Sequence, residues 1–357
     1  MPIDASHALS RMAWVARHRP KVWDATTHVL LPKDYCIAHL TGEVSTDPLS
    51  AIGLVDGSLA YIPKVAALVP GAAEKLAPLV GVTEVCGTAR GDLAGRPVVC
   101  GTMDAWAGLI GAGGAQAGSS VYLSGTSEIL GISNQTVVPT PGVIVFPECA
   151  SVRLHAAPTQ SGGDAAAWFA QTAGISVGEM TALAEGALRP PMFLPQLEGE
   201  RAPLWNSDLR AAFLGVSRQT TQADFARAVF EGVAFSARHA LETLQASADV
   251  CSDTVTCGGG GFRSDLWAQI RADVLGVELR VLDAAEPGVL GAATLAAIGA
   301  GDHADIAEAQ TALARFGRRY APRAAMHDAY TRRFEVYKQA ITQIAGLTAG
   351  LDRVPLG

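Results

Sequence analysis

DTVTCGGGGFRSDLWAQIRADVLGVELRVL, residues 253–282, reads as strand, glycine loop, helix and strand in succession. DTVTC is the first strand, GGGGF the loop, RSDLWAQIRADVL the helix and VELRVL the second strand, with Gly276 as the helix C-terminal cap. Four glycines without Cβ atoms, Gly258, Gly259, Gly260 and Gly261, let a flat ligand or a phosphate approach the backbone, and the next helix offers free N–H groups. A tight turn with Ser264 at the helix N-cap accounts for the same residues; the run of four favours a ligand.

Working outward, SVYLSGTSEILGIS (120–133) predicts two short strands around a Ser124-Gly125-Thr126-Ser127 turn. That turn is either an ordinary hairpin or a concave set of N–H donors and hydroxyls suited to phosphate. Ser161-Gly162-Gly163, before a helix over Asp164–Gln171, carries the same two readings. Gln222–Gln245 is a long helix with Phe225, Val229, Val233 and Ala237 on one face. Pro287–Gly301 is a small-residue helix built for close packing, and Ala304–Leu347 reads as terminal helices. Upstream, helices are expected over Ala5–His18 and Lys21–Leu40, then a polar turn segment, TGEVSTDPLSAIG. RPVVCG (96–101) is a strand that leads through Thr102-Met103-Asp104 into a helix over Ala105–Gly111. GAGGAQAG (111–118) marks a boundary. Asp104, between strand and helix, is either an N-cap or a base for a substrate hydroxyl. Trp106 either fills the core or stacks on a sugar face. Glu200-Arg201 is read as an interdomain ion pair. Mixed strands and helices give an α/β protein with its site in a cleft between two domains.

Composition excludes other classes. The 357 residues are 49% hydrophobic and 17% charged with a net charge of −7, so a packed protein is expected and a basic nucleic-acid groove is not. The uncharged stretch Ala105–Ser127 is too rich in Gly and Ser for a membrane helix, and the N-terminus lacks the apolar region of a signal peptide. Six cysteines without C-x-x-C spacing read as reduced thiols of a cytoplasmic protein. No Walker loop, complete G-x-G-x-x-G, H-E-x-x-H or G-x-S-x-G occurs.

Eight blocks now stand in order: HVLLPKDYCIAHLTGEVSTDPLSAIG, GTMDAWAGLIGAG, VYLSGTSEIL, SGGDAAAWF, GERAPLWNSDLRAAFLGVS, FARAVFEGVAFSARHALE, CGGGGFRSDLWAQIRADVLGVEL and EPGVLGAATLAAIGAG. In that order the chain resembles the FGGY family of carbohydrate kinases, most closely its xylulokinase-like members. The resemblance implies a two-domain actin/hexokinase/Hsp70-like, ribonuclease H-like fold. It divides the chain into the remainder of a sugar-binding domain (1–114), an ATP-binding domain (115–305) and a helical tail (306–357). It implies ATP as co-substrate with Mg²⁺ and phosphorylation of a sugar or polyol hydroxyl, a ketopentose such as xylulose foremost. Other sugars, or a nucleotide-binding remnant, are the alternatives. By position Asp104 matches the catalytic base and the only carboxylate considered for the metal, through water. Gly125, Thr126 and Ser127, with Gly162 and Gly163, match the phosphate-facing turns. Gly258, Gly259, Gly260 and Ser264 match the adenosine loop, and Trp106 stands with Asp104 as a sugar contact. Partners are a small sugar and ATP, with a homodimer left open, and neither nucleic acid nor membrane. The family's opening Asp-x-Gly-Thr hairpin has no counterpart here, so the first domain is expected to be incomplete and the chain alone a poor kinase.

Overall fold

The computed structural model describes residues 7–149, 151–284 and 286–351, with side chains to residue 347. In chain order its helices are α1 (Ala8–His18), α2 (Pro20–Ala25), α3 (Pro32–Thr41), α4 (Pro63–Ala66), α5 (Asp104–Gly111), α6 (Gly163–Ala173), α7 (Val177–Glu185), α8 (Gln222–Ala248), α9 (Asp265–Leu275), α10 (Pro287–Gly299), α11 (Ile306–Leu313) and α12 (Ala324–Leu351). The strands are β1 (Val85–Thr88), β2 (Pro97–Val99), β3 (Ser120–Ser124), β4 (Glu128–Asn134), β5 (Ile144–Val145), β6 (Arg153–Pro158), β7 (Met192–Leu194), β8 (Ala212–Leu214), β9 (Thr254–Gly258), β10 (Glu278–Leu282) and β11 (Phe316–Tyr320). Two compact units result: one of residues 1–111 and 288–313, the other of residues 112–287 and 314–357. Residues 288–305, grouped by sequence with 115–305, thus belong with the N-terminal unit.

In the first unit Leu9, Met12, Trp23, Leu54, Val69 and Ala72 form a small core. The single helix expected over Lys21–Leu40 is two, α2 and α3. Pro32 starts the second, because a proline lacks the N–H that a helix interior needs but is accepted in its first turn. Residues 5 and 6 of the first expected helix lie outside the described residues. β1 and β2 pair antiparallel. The small residues of α10 serve close packing as expected: a Cβ on Gly291 would run into the Ala107 carbonyl of α5, and one on Gly299 into Val99 and the Thr83 carbonyl.

The second unit is built on a seven-stranded sheet in the order β11-β10-β9-β3-β4-β6-β5. β3, β9 and β10 are parallel neighbours, whereas β11, β4, β6 and β5 pair antiparallel. β11 lies where only terminal helices were expected. Its sequence, FGRRY, is polar at the centre because an edge strand exposes those positions, which hides it from a hydrophobic pattern. α8 is buried nearly all round between Ala226 and Leu241, not on a single face, because it packs against β4, β6, β7, α6, α7 and α9.

The start of α8 is an acid-sensitive point. The Thr221 hydroxyl accepts from the Asp224 N–H (3.2 Å), and the Asp224 carboxylate accepts from the Thr221, Leu188 and Arg189 N–H groups at 2.9, 2.8 and 2.7 Å. These N–H donors, Thr221 first, lower the Asp224 carboxyl from 3.8 to about 2. A carboxyl held lower in the folded than the unfolded chain stabilises above the unfolded value and stops doing so as pH falls through the folded one. Acid titration followed by circular dichroism is therefore expected to show stability lost between about pH 4 and pH 2 in the native chain, and a shallower slope there in Asp224→Asn. Identical slopes would remove Asp224 as the cause.

Candidate nucleotide and phosphoryl-transfer site

Three glycine-bearing turns meet at one end of the sheet in the second unit. The β3–β4 hairpin closes with Ser124 opposite Glu128, leaving Gly125-Thr126-Ser127 as the turn. Parallel pairing sets Leu123 of β3 opposite Gly258 of β9, so the loop after β9 emerges beside that turn. Outside the carboxyl ends of adjacent parallel strands is where α/β sheets bind ligands. The start of α6 joins them: the Gly163 N–H donates to the Gly125 carbonyl at 2.9 Å and the Asp164 N–H to Thr126 at 3.1 Å.

Steric tests on the glycines separate two reasons for their presence. A Cβ on Gly162 would lie 2.5 Å from the Thr126 carbonyl oxygen, and one on Gly163 2.6 Å from that of Gly125. Gly259 has φ +94°, and its Cβ would overlap the Ser124 carbonyl. These three let the turns touch. Gly260 differs, since nothing of the protein lies within 4 Å of its Cβ position and its φ is not positive. Gly125 meets only Ser127 O, at an ordinary 3.7 Å. The backbone makes no demand for glycine at these two exposed positions, so the open space beside them suits a ligand. Among the described residues the Thr126 and Ser127 N–H groups take no hydrogen-bond acceptor, which leaves both donors open to an anion. Gly258 ends β9 against Pro287. Ser264 caps α9, its hydroxyl accepting from the Trp267 N–H at 3.3 Å. Beside this loop lies a cavity of about 180 Å³ lined by Gly259, Phe262, Val281, Leu282, Asp283 and Arg318.

Two buried carboxylates brace these turns; the sequence reading missed Glu128 and gave Glu200 a different role. Glu200 is 5% exposed and accepts from the Gln160 N–H (2.5 Å), the Arg201 N–H (3.0 Å), and the side chains of Ser161 (3.0 Å), Gln196 (3.2 Å) and Ser236 (3.2 Å). It holds the segment that enters Gly162-Gly163. Burial pushes its carboxyl up, against the pull of these donors. The expected Glu200–Arg201 ion pair is absent among the described residues: Glu200 is buried while Arg201 is exposed. Glu128 lies under the first turn, with its carboxylate on the Tyr122 hydroxyl (2.5 Å), the Ser124 hydroxyl (2.8 Å) and the Arg271 guanidinium. The available signal was Arg271 itself, which falls on the apolar stripe Trp267, Ile270, Val274 of α9.

Asp104 and Trp106 belong to the first unit. Asp104 is the first residue of α5 and is exposed; its Oδ1 accepts from the Ala105 N–H at 2.7 Å. The approach to it is fixed from below: Thr102 Oγ1 donates to Asp47 Oδ1 (3.0 Å), and Asp47 Oδ2 pairs with Lys33 Nζ at 3.0 Å. Burial works against the Lys33 charge, but Asp47 and Asp34 outweigh it and raise the ammonium above its ordinary value. Trp106 is fully buried, which corrects its assignment as a sugar contact: α5 turns the ring into the core, so no face is left to stack on a sugar. Among the described residues no group of three or more His, Cys, Asp or Glu side chains is placed to hold a metal ion; a Mg²⁺ carried by nucleotide phosphates needs only one or two carboxylates, and Asp104 is exposed to reach one through water.

Residues 121–300 match the C-terminal domain of the FGGY family of carbohydrate kinases. The chain belongs to that family. It is 28% identical to a xylulose kinase of Staphylococcus epidermidis, covering 98% of this chain and 74% of the relative, and 29% identical to a xylulose kinase of Escherichia coli, covering 95% and 73%. The fold matches the crystal structure of xylulose kinase from Rhodospirillum rubrum with a TM-score of 0.83 and 25% identity, over 95% of this chain and 72% of that one. The actin/hexokinase-like fold class read from the FGGY blocks is therefore the one observed. No helix among the described residues is long and apolar enough to cross a membrane.

Proposed function

We propose that this FGGY chain transfers the γ-phosphoryl group of ATP to a hydroxyl of a ketopentose, xylulose foremost. The observation that carries the reading is the meeting of the 125–127, 162–163 and 258–261 turns at one sheet end, with glycine at Gly125 and Gly260 where no protein atom requires it. Thr126 and Ser127 present N–H groups to the phosphates, and the cavity beside Gly259 has room for a purine base but not for a whole nucleotide. Asp104 takes the proton from the attacking sugar oxygen. As that oxygen bonds to the γ-phosphorus, the bond from the γ-phosphorus to the bridging oxygen breaks and ADP leaves with the electron pair. Phosphoryl transfer asks mainly for alignment and charge stabilisation, which fixed N–H groups and one carboxylate supply. A Mg²⁺ ion on the nucleotide would neutralise phosphate charge. The six cysteines, none of them in a disulfide, fit a cytoplasmic setting.

The test pairs titration of a fluorescent ATP analogue with ADP release across xylulose, ribulose, pentitols and glycerol. Saturable binding displaced by ATP, with release highest on xylulose, is the expected result. Failure to bind nucleotide overturns the site. Binding without sugar-dependent release reduces the chain to a nucleotide-binding module.

A further inference from the structure

We propose that Arg271 and Glu128 form a positioning pair that holds the 125–127 turn and the glycine loop after β9 in the register that nucleotide phosphates need. The inference rests on the nucleotide site proposed above, to which it adds residues that touch no ligand.

Both side chains are fully buried, and they lie 143 positions apart in sequence. One guanidinium reaches both the β3–β4 hairpin and the glycine loop. Arg271 Nη1 donates to the Gly261 carbonyl at 2.6 Å, and Nη2 donates to Ser124 Oγ at 2.9 Å and to the Glu128 carboxylate. Its plane lies over Trp267 (3.9 Å to the ring centre) and Phe262 (4.6 Å). It therefore ties the last residue of β3, the first of β4 and the glycine loop to one rigid group on α9. Ser124 is fixed in turn, because its hydroxyl donates to Glu128 and accepts from Arg271. Gly259 and Gly261 then close directly on Ser124, as the overlaps of their absent Cβ atoms show.

Stability alone is a poor reason for such a pair. Desolvating two charges offsets most of their attraction, and well-packed apolar replacements often fold as well. Arg271 Nε finds no acceptor among the described residues, a further cost. Every polar neighbour of Glu128 donates to it, so the ionised form suits this shell. A forked, planar cation has several directed donors where a lysine has one compact charge. The geometry uses that fork on two separate loops.

The test compares the full chain with Arg271→Lys and Ser124→Ala, the second a small change that keeps the ion pair. Melting temperature is measured alongside equilibrium binding of ATP, ADP and adenosine by competition with a fluorescent ATP analogue. Arg271→Lys is expected to weaken ATP and ADP on the order of tenfold or more, and more than adenosine, whose base loop Arg271 also holds, with a smaller loss for ATP and ADP in Ser124→Ala. Equal losses for adenosine and ATP, or unchanged ATP affinity in whichever variant folds, overturn the inference. A native chain that binds none of the three ligands instead overturns the nucleotide site itself.

Discussion

Asp104→Asn is expected to lower sugar-dependent ADP release by about 10²–10⁴-fold, the usual range for a positioned acid or base. The asparagine is nearly isosteric and can still accept from the Ala105 N–H, the one hydrogen bond the carboxylate makes among the described residues. α5 therefore keeps its start, and the loss of a negative charge there costs about 0.3–1 kcal/mol through the helix dipole. Held by Thr102, Asp47 and Lys33, the segment before Asp104 has no reason to move. Nucleotide affinity should stay close to that of the native chain, since every proposed nucleotide contact lies in the other unit. Steady-state kinetics beside a nucleotide titration separate the two effects. Retention of more than about a tenth of native turnover would remove Asp104 as the base.

The second large effect contrasts two neighbouring glycines. Gly259→Ala puts a Cβ into the Ser124 carbonyl at a φ of +94°, and neither atom has a flexible side chain through which to give way. Strain of about 1–3 kcal/mol from the backbone angle and a similar amount from overpacking are expected, with loss of measurable ATP binding as the loop is pushed off β3. Gly260→Ala meets no protein atom within 4 Å. It should melt within a degree or two of the native protein, as surface substitutions usually do, yet bind ATP distinctly less well. Differential scanning fluorimetry with and without ATP reads both variants. Undiminished ATP binding in Gly260→Ala would show that nothing approaches that backbone.

Local patterns revealed more of this protein than distant ones did. The unit over 253–282 was legible because each boundary carries its own chemistry: glycines at the turn, Ser264 as a cap, and Gly276 at φ +74° as a stop. The 120–133 hairpin was legible for the same reason. β11 was missed because an exposed edge strand has no apolar alternation, and the break between α2 and α3 because periodicity was weighed over Pro32. At the site, glycine runs announced the turns. Their supports did not announce themselves: Glu128 and Arg271 are charged residues inside apolar stretches, and only three-dimensional pairing shows why burial tolerates them. Glu200 was seen but given the wrong partner, since five donors spread over residues 160–236 cannot be read from the dipeptide Glu200-Arg201.

The polypeptide passes from one compact unit to the other three times, at 111/112, 287/288 and 313/314. Cutting the gene at 114 and 305 would therefore yield no self-sufficient pieces. The front piece would lack α10, whose Gly291 seats against α5, and the middle piece would lose β11 from the sheet border along with α12, whose Phe334 and Tyr337 belong to its core. Dissection of this protein calls for fragments that follow the path of the chain rather than its linear thirds, or for co-expressed pieces that reassemble.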